Sequence, residues 1–364
     1  MKPSSLYVHI PFCSSICAYC DFCKLLYRKE FAFPYVEELL KEVEGKAKGL
    51  LFHTIYVGGG TPTCLEEPLF EKVLAFLSPY LEKNGEFTIE ANPESLSKEK
   101  LLIAKRFGVN RISMGLESSS NKRLKEMGRG HTYEEAKKAF ALAKEMGFTN
   151  LSADLIYGLP DETLEELDKD IDALLALDVP HLSTYSLTVN EGTLFYNKKI
   201  QEADDNDAAD QYELILKRFR EAGYLRYEVS NFARPGFESQ HNLTYWHDEE
   251  YVGCGLGASG YQDEVHYTNT RNLTKYLKGE YLDSQEEEGE QDRLEYYFLT
   301  NLRLAEGFAL EEFEKRFGFS FLAKYQKEVD SLIKDGSLLL EQKRVKPTDK
   351  GILLLDRILL TLFK

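Results

Sequence analysis

The sequence is short of basic residues. Its 364 residues include 45 Lys and Arg against 61 Asp and Glu, which gives a formal net charge of −16. Nucleic-acid binding relies on basic side chains that displace counterions from phosphates. The acidic balance therefore argues against a nucleic-acid partner. A content of 43% hydrophobic and 29% charged residues is that of a folded globular protein, which excludes disorder over most of the chain.

Long apolar runs are also missing from the sequence. No window approaches the roughly 18 uncharged apolar residues that a transmembrane helix needs. The first eleven residues contain no apolar stretch of the kind found in a secretion signal. We therefore expect a cytoplasmic protein with no membrane span.

Cysteine is scarce, and the six cysteines are unevenly distributed along the chain. Four of the six cysteines fall within eleven positions, namely Cys13, Cys17, Cys20 and Cys23. The other two, Cys64 and Cys254, stand alone. In a reducing compartment such a cluster indicates metal binding or catalysis before it indicates disulfides.

The first two thirds of the chain alternates between β-like and helical patterns. The predicted strands are Ser5–Ile10, Thr54–Val57, Glu86–Ala91, Arg111–Leu116, Leu151–Tyr157 and His181–Thr188. The predicted helices are Pro34–Lys48, Glu67–Glu82, Ser97–Phe107, Thr132–Met146, Thr163–Leu177 and Asp205–Ala222. Six βα units in series predict an α/β fold with a parallel sheet and right-handed crossovers.

Residues suited to chemistry follow each predicted strand at its carboxyl end. They are the cysteine cluster, Gly58–Pro62, Glu90–Pro93, Gly115–Ser118, Gly158–Pro160, and Tyr185 with Thr188. A (β/α) barrel builds its active site from several strand ends at this face, whereas a doubly wound sheet usually binds ligand at one switch point. The pattern therefore favours a partial (β/α)6 barrel.

The alternation ends at Gly223. Residues 224–285 are rich in Tyr, Asn and Gly, which predicts a β-rich extension of the sheet. From the acidic run at residues 286–288, three helical patterns precede a hairpin at Ser337–Val345 and a last helix at Thr348–Leu362. We therefore predict three domains: a barrel (1–223), the β-rich extension (224–285) and a helical, winged-helix-like lobe (286–364).

The spacing Cys13-x3-Cys17-x2-Cys20 is compatible with two kinds of metal site. Zinc usually takes four ligands from two separated C-x2-C pairs, and the chain has no second pair. Three thiolates on one short loop instead suit a cubane iron–sulfur cluster whose fourth iron stays open. The cluster is favoured, and zinc remains the alternative at this point.

The cysteine loop resembles the signature of the radical S-adenosylmethionine (SAM) superfamily. The segment Tyr7-x-His9-Ile10-Pro11-Phe12-Cys13 is similar to the branch that contains the coproporphyrinogen dehydrogenases (HemN) and the heme chaperones (HemW). Matching segments extend over nearly the whole chain: Gly58–Thr63, Glu90–Pro93, Gly128-Arg129-x-His131, Asp154–Pro160, Tyr227–Asn231 and His241–Trp246. The fold of that branch, a partial (β/α)6 barrel with a C-terminal helical lobe, agrees with the strand pattern.

The resemblance implies two cofactors. A [4Fe-4S] cluster would be held by Cys13, Cys17 and Cys20, and its open iron would chelate the amino and carboxylate groups of SAM. The branch contacts SAM at positions that correspond here to Tyr7, Gly59, Gly60, Thr61, Glu90, Glu117, Arg129 and Asp154. Glu117 departs from the family, which usually has Gln there. The three glycines at 58–60 are expected to let the backbone approach the methionine end of SAM closely.

The resemblance also implies heme as a ligand. His241-Asn242-x2-Tyr245-Trp246 is similar to the segment typical of heme chaperones. Imidazole is a common axial ligand of heme iron, and the two aromatic rings suit a porphyrin face. His241 is therefore the predicted heme ligand, ahead of His247 and His266. On this interpretation the protein needs an electron donor and passes heme to an acceptor protein, such as one of the respiratory chain.

Two other interpretations are considered. Cys23 extends the cysteine pattern as in HemN enzymes, which favours an oxygen-independent coproporphyrinogen III dehydrogenase that uses a 5′-deoxyadenosyl radical. The twelve residues before Cys13 favour the chaperone, because the dehydrogenases usually carry a longer segment there. The third interpretation is a zinc-stabilised barrel without redox chemistry. Cys23 itself is expected to be a free thiol near the cluster.

Overall fold

The computed structural model describes residues 3–363. The strands are β1 (Ser5–Ile10), β2 (Phe12–Cys13), β3 (Leu25–Leu26), β4 (Phe52–Gly59), β5 (Leu81–Ala91), β6 (Arg111–Glu117), β7 (Asn150–Tyr157), β8 (His181–Ser186), β9 (Leu225–Arg226), β10 (Asn231–Ala233), β11 (Tyr251–Cys254), β12 (Ser259–Gln262), β13 (Val265–Asn269), β14 (Leu282–Glu287), β15 (Phe308–Ala309), β16 (Leu338–Glu341) and β17 (Arg344–Pro347).

The α-helices are α1 (Lys29–Lys46), α2 (Glu67–Leu77), α3 (Lys98–Arg106), α4 (Asn121–Glu126), α5 (Tyr133–Glu145), α6 (Leu164–Leu175), α7 (Leu194–Asn197), α8 (Asp205–Glu221), α9 (Gln240–Trp246), α10 (Leu273–Tyr276), α11 (Glu290–Asn301), α12 (Leu310–Phe317), α13 (Phe321–Lys334), α14 (Asp349–Leu353) and α15 (Leu355–Leu362). Short 3₁₀ helices lie at Pro62–Cys64, Ser78–Tyr80 and Pro93–Ser95.

The predicted α/β fold with a parallel, partial-barrel sheet is confirmed. The main sheet has the order β14-β13-β12-β11-β1-β4-β5-β6-β7-β8-β10-β9. The six predicted strands, β1 and β4 to β8, lie side by side and pair in parallel. The segment after Gly223 extends this sheet at both edges, through β9 and β10 beside β8 and through β11 to β14 beside β1.

Alternate positions of the parallel strands face different surroundings. On β1 the apolar side chains Leu6, Val8 and Ile10 are fully buried in the main core, which also includes apolar residues of α1 and α2. The positions that alternate with them, Ser5, Tyr7 and His9, carry polar groups. The neighbouring strands repeat this alternation, and Ser5, Thr54 and Glu86 lie in register across β1, β4 and β5. The helix-facing side of the sheet is therefore apolar, and the interior side is polar.

Capping residues fix several helix starts where the sequence predicts them. Thr132 and Thr163 each form a capping box with the glutamate three residues on, and the Ser97 side chain accepts from the backbone N–H of Lys100. These reciprocal bonds satisfy N–H groups that have no partner within the helix. They explain why α3, α5 and α6 begin within one residue of the predicted positions.

The boundary between α2 and β5 differs from the prediction. The helix expected to reach Glu82 ends at Leu77, and β5 begins at Leu81 rather than at Glu86. Pro79 lies in the intervening 3₁₀ helix, and proline has no backbone N–H with which to continue an α-helix. Conversely, α1 begins at Lys29, before the predicted Pro34, and carries that proline inside its second turn.

The C-terminal region has its own hydrophobic core. Residues of α11, α12, α13 and α15 pack around a cluster that includes Phe298, Phe308 and Phe313. The predicted hairpin is present as β16 and β17, and β15 adds a third strand. The predicted last helix is interrupted at Leu354, whose φ and ψ are −116° and 25°.

The division into three domains stays a prediction. Its second boundary, between residues 285 and 286, lies within β14. In the part of the chain described, no helix is both long and apolar enough to cross a membrane.

Candidate functional site

A cavity of about 370 Å³ opens at the carboxyl ends of the parallel strands. That size is within the range of small-molecule and cofactor sites. It brings together ten of the twelve predicted site residues: Cys13, Cys17, Cys20, Gly59, Gly60, Thr61, Glu90, Glu117, Arg129 and Asp154. The other two, Tyr7 and His241, do not line it. Which cofactor each of these residues binds stays a prediction.

The cysteine loop forms one wall of the cavity. Cys13 ends β2, and the loop is fixed by backbone bonds from Ala18 N–H to the Met127 carbonyl (2.8 Å) and from Phe195 N–H to the Ala18 carbonyl (2.9 Å). All six cysteines of the chain, each within the described residues, have free thiols. Burial raises the pKa of Cys13 to about 11, and burial also raises the pKa of Cys20. These thiols therefore release protons when they take up a metal.

The donor set fits an iron–sulfur cluster. Cys13, Cys17 and Cys20 are unpaired thiols on one loop that line the same cavity. In a cluster each thiolate binds a different iron, so the three sulfurs need not converge on one point. Within residues 3–363, no group of three or more His, Cys, Asp or Glu side chains is arranged to hold a single metal ion. The zinc alternative therefore gains no support from the geometry.

Cys23, unlike the three other loop cysteines, does not line the cavity. Its side chain packs against Gly257, since a Cβ added at Gly257 would lie 2.8 Å from Cys23 Cβ and 3.1 Å from Cys23 Sγ. Its carbonyl oxygen is 2.7 Å from His9 Nε2. Cys23 thus contacts the loop after β11.

The three glycines at 58–60 make room for protein groups. A Cβ at Gly58 would lie 2.7 Å from both Glu90 Cδ and Tyr56 Cε1, and one at Gly59 would lie 2.3 Å from the His9 ring. A Cβ at Gly60 would lie 2.6 Å from the Phe12 carbonyl oxygen. Gly59 also has a φ of 107°. These contacts give the glycines a role besides the close ligand approach expected from the sequence.

Replacing Gly60 with alanine is expected to displace the cysteine loop. The new methyl group would meet backbone atoms of Ile10, Pro11 and Phe12, which cannot rotate away as a side chain can. Overpacking of this kind costs roughly 1–3 kcal/mol. We expect a lower free energy of unfolding and less iron bound after anaerobic reconstitution. Gly45→Ala is the control, because nothing lies within 4 Å of its added Cβ; equal losses in both variants would contradict the assignment.

Three of the carboxylates that line the cavity lie on the parallel strands; Glu117 is buried, and Glu90 and Asp154 are half-buried. Glu90 is the next-to-last residue of β5, Glu117 ends β6 and Asp154 lies on β7. Burial raises the pKa of Glu90 and Asp154, and burial raises the pKa of Glu117 to about 7. Glu117 also has a φ of 67°, at an irregularity in the pairing of β6 with β7. A cavity with this excess of acidic groups suits a cationic ligand.

Arg129 is the buried cation of the cavity. Its Nη2 donates to Asn92 Oδ1 (2.8 Å) and to the Gly115 carbonyl (2.9 Å), and its Nη1 is 3.5 Å from both Glu117 Oε1 and Cys17 Sγ. Its side chain is 6% exposed, and its Nε has no hydrogen-bond partner in the structure. The guanidinium therefore links the cysteine loop to the acidic wall.

Glu117 is expected to make stability depend on pH. Its pKa of about 7 in the folded state lies above the usual value near 4.5. The folded protein therefore binds the extra proton between these values, and stability falls as pH rises through that window. In Glu117→Gln we expect this slope to flatten by up to about 1.4 kcal/mol per pH unit. Urea unfolding of the metal-free protein from pH 5 to 8 measures it, with the exposed Glu134→Gln as control; an unchanged slope in Glu117→Gln would refute the expectation.

His241 lies in the interior, 1% exposed, on α9. Its Nδ1 is 2.7 Å from Thr54 Oγ1, and its Nε2 is 2.7 Å from the Tyr245 hydroxyl. As placed, neither ring nitrogen is free for a heme iron, so ligation by His241 stays a prediction that requires this network to open. The lesser candidates are more exposed, and each ring bonds a carboxylate: His247 to Glu306 and His266 to Glu288.

Tyr7 lies beside His241 rather than on the cavity wall. Its hydroxyl is 2.9 Å from His9 Nδ1, and its ring centroid is 6.4 Å from that of His241. Tyr185 and Thr188, which the sequence places at a strand end, line the cavity as well. The structure also adds residues that the sequence prediction missed, among them Tyr19 and Ser113 on the cavity wall and Tyr56 behind Glu90. The strand alternation could have identified Tyr56 and Ser113. They lie on the same face of the sheet as Glu90 and Asp154.

Comparisons with known proteins agree with this architecture. The model of the Radical SAM superfamily matches residues 7–174, and that of the HemN C-terminal domain matches residues 290–354. The chain is similar to the heme chaperone HemW of Lactococcus lactis, with 39% identity over 96% of this chain and 94% of the relative. It is 36% identical to the heme chaperone HemW of Bacillus subtilis, over 96% of each chain.

The match to the heme chaperone HemW of Escherichia coli is 37% identical over 86% of each chain. Among solved structures, coproporphyrinogen III oxidase (HemN) from Escherichia coli is similar in fold. The TM-score is 0.86 at 24% identity, and the match covers 100% of this chain and 90% of that one. At this identity the likeness shows the fold alone.

Proposed function

This chain belongs to the HemW family of the radical SAM superfamily, and from that premise we propose that it is a heme chaperone. It would bind a [4Fe-4S] cluster, SAM and heme, and pass the heme to an acceptor protein, for example of the respiratory chain. The observation that carries the proposal is the sequence match to heme chaperones over nearly the whole chain, with 39% identity over 96% of its length.

Cys13, Cys17 and Cys20 are the proposed ligands of the cluster. When bound, the cluster supplies one-electron chemistry and an open iron for the amino and carboxylate groups of SAM. The three thiols line the same cavity as Gly59, Gly60 and the strand ends, so a ligand of the open iron would lie against these residues. An electron donor is part of the proposal, as is the cytoplasmic location predicted from the sequence.

The acidic wall is the proposed binding surface for SAM. The cavity lining contains four carboxyl groups, Asp21, Glu90, Glu117 and Asp154, against the two cations Lys24 and Arg129, so acidic groups are in excess for the sulfonium and ammonium groups of SAM. Glu90 is already oriented, since its Oε2 accepts from Gly59 N–H (2.9 Å) and its Oε1 from the Tyr56 hydroxyl (2.8 Å). Each carboxylate oxygen keeps a further lone pair for a ligand.

Arg129 is proposed to have two roles in the cavity. Its guanidinium lies 3.5 Å from Cys17 Sγ, where its positive charge would offset negative charge that a bound cluster brings to the loop. Its position between Glu117 and the cysteine loop also suits a ligand carboxylate. Because Asn92 and the Gly115 carbonyl hold the same guanidinium, its direction is set before any ligand binds.

The test separates a chaperone from a porphyrin-modifying enzyme. Protein reconstituted anaerobically with iron and sulfide is divided between a heme titration and an incubation with coproporphyrinogen III, SAM and a reductant. The proposal predicts saturable heme binding and no decarboxylated product. Decarboxylation without heme binding would instead identify a coproporphyrinogen III dehydrogenase, and colourless protein that contains zinc without iron would exclude both.

A further inference from the structure

Tyr56 connects the cavity to the interior behind it. Its hydroxyl donates to Glu90 Oε1 at 2.8 Å, and Glu90 lines the cavity. Its ring stacks on the His241 ring, with centroids 4.9 Å apart and an interplanar angle of 25°. The Tyr56 ring also packs against Gly58, where a Cβ would lie 2.7 Å from Tyr56 Cε1. The orientation of Glu90 therefore depends on a ring that His241 supports.

His241 is itself held by a continuous chain of hydrogen bonds. Thr54 Oγ1 donates to Ser5 Oγ (2.7 Å), so its single proton is used and it accepts from His241 Nδ1. Ser5 Oγ lies 2.7 Å from Thr244 Oγ1, which donates to the Gln240 carbonyl (3.3 Å). This series of hydrogen bonds thus runs from the His241 ring through β4 and β1 back to α9.

These bonds also fix the role of the second ring nitrogen of His241, Nε2, as a hydrogen-bond acceptor. With its proton on Nδ1, His241 is neutral and its Nε2 accepts from the Tyr245 hydroxyl at 2.7 Å. Burial lowers the pKa of His241 to about 3, in keeping with a neutral ring. The backbone N–H of His241 donates to Glu86 Oε1 (3.2 Å). Every polar group of the His241 side chain is therefore used within the protein.

Tyr7 joins the same group of rings. Its centroid lies 6.2 Å from that of Tyr56 and 6.4 Å from that of His241. Its hydroxyl bonds His9 Nδ1, and the His9 ring occupies the space that a side chain at Gly59 would need. The rings of Tyr7, Tyr56 and His241 therefore support both Glu90 and the glycine segment beside it.

We propose that His241 is a positioning residue for the cavity: it fixes the Tyr56 ring, which in turn holds the Glu90 carboxylate in its ligand-facing orientation. This inference rests on the proposed binding of SAM to the cavity. It gives both His241 and Tyr7 a function at their observed places, outside the cavity wall. It also assigns His241 to the support of the cofactor cavity rather than to heme ligation.

The test measures the dissociation constant of SAM by calorimetry in reconstituted wild type, His241→Ala, Tyr56→Phe and the double variant. We expect His241→Ala to weaken SAM binding about tenfold and Tyr56→Phe about fivefold. The double variant should bind no more than about twofold more weakly than His241→Ala, because both changes disrupt one path. His247→Ala, a partly exposed histidine on the same segment, is the matched control and should bind SAM as wild type does.

Three further measurements distinguish a positioning role of His241 from a merely structural one. All variants are compared below their unfolding transitions, so a change in SAM affinity without a matched loss of folded protein supports positioning. His241→Phe keeps a flat ring against Tyr56 and should recover part of the affinity lost in His241→Ala. Heme affinity should stay within twofold of wild type in His241→Ala and Tyr56→Phe.

The outcomes that overturn the inference are distinct from those that overturn the proposed function. Wild-type SAM affinity in His241→Ala, or fully independent effects of the two changes, contradicts positioning and leaves the chaperone proposal intact. Loss of heme binding in His241→Ala with unchanged SAM affinity assigns His241 to heme and also contradicts it. Wild type that binds SAM but no heme contradicts the chaperone proposal alone, and wild type that binds no SAM contradicts both.

Discussion

Cys17→Ser is expected to bind less than a tenth of the iron that the wild-type protein binds after anaerobic reconstitution. Cys17 lies on the loop between β2 and β3, lines the cavity and lies 3.5 Å from Arg129 Nη1. A serine hydroxyl is a poor substitute for the thiolate that iron–sulfur clusters require. Loss of one of three ligands leaves an iron without a protein donor, so the cluster is expected to dissociate.

The same loop supplies the control for this prediction. Cys23→Ser changes a cysteine six residues away that packs on Gly257 and does not line the cavity. We expect Cys23→Ser to keep most of its iron, and Cys254→Ser, at a buried position on β11, to do the same. The assignment of the ligands fails if Cys23→Ser loses its iron while Cys17→Ser keeps it.

Arg111→Leu is expected to lower the free energy of unfolding by about 3–5 kcal/mol, the range for leaving a buried charge without a compensating one. Arg111 begins β6 on the polar interior side and is 2% exposed. Burial disfavours its charge, yet the nearby carboxylates Glu86 and Asp154 raise its pKa above the usual value. Leucine would leave the buried Glu86 without this nearby cation and Asp154 with Arg129 alone.

An exposed arginine provides the comparison. Arg106, at the end of α3, pairs with Glu71 at 2.7 Å, and its side chain is 60% exposed. Exposed pairs of this kind contribute roughly 0–1 kcal/mol, so Arg106→Leu should change stability little. Urea denaturation of both variants at pH 7 measures the difference. If the two variants lose equal stability, the interior charge cluster does not support the barrel.

Much of the barrel follows directly from local sequence signals. All six parallel strands overlap their predicted ranges, because the apolar positions of each strand alternate with polar ones and glycine or polar residues end each run. The carboxyl ends of parallel strands lie at one edge of a sheet. For this reason the sequence also predicts that Cys13, Glu90 and Asp154 share a cavity, as they do.

The contacts behind the cavity could not be predicted in the same way. His241 approaches Thr54 and Tyr56 only because α9 packs on the interior side of β4, some 185 residues earlier in the chain. Nothing in the segment around His241 distinguishes a buried histidine with two partners from one that binds iron. Cys23 presents the same difficulty, since its contact with Gly257 depends on the position of β11 beside β1.

The contacts that require glycine at positions 58–60 could also be identified only from the tertiary structure. Three glycines after a strand indicate a close approach of some kind, but the sequence does not say to what. The structure shows that Gly58, Gly59 and Gly60 contact Glu90, His9 and the backbone of residues 10–12, respectively. This segment therefore joins β1, β5 and the cysteine loop, which is why Gly60→Ala and Gly45→Ala should differ.

A heme titration of the anaerobically reconstituted protein, followed by the heme absorbance, shows whether this HemW-family chain carries heme. We expect binding to saturate, and an apo heme-binding protein added afterwards to remove the bound heme. Absorbance that rises without saturation, as for free heme, in a sample that holds its full iron and sulfide would contradict this expectation.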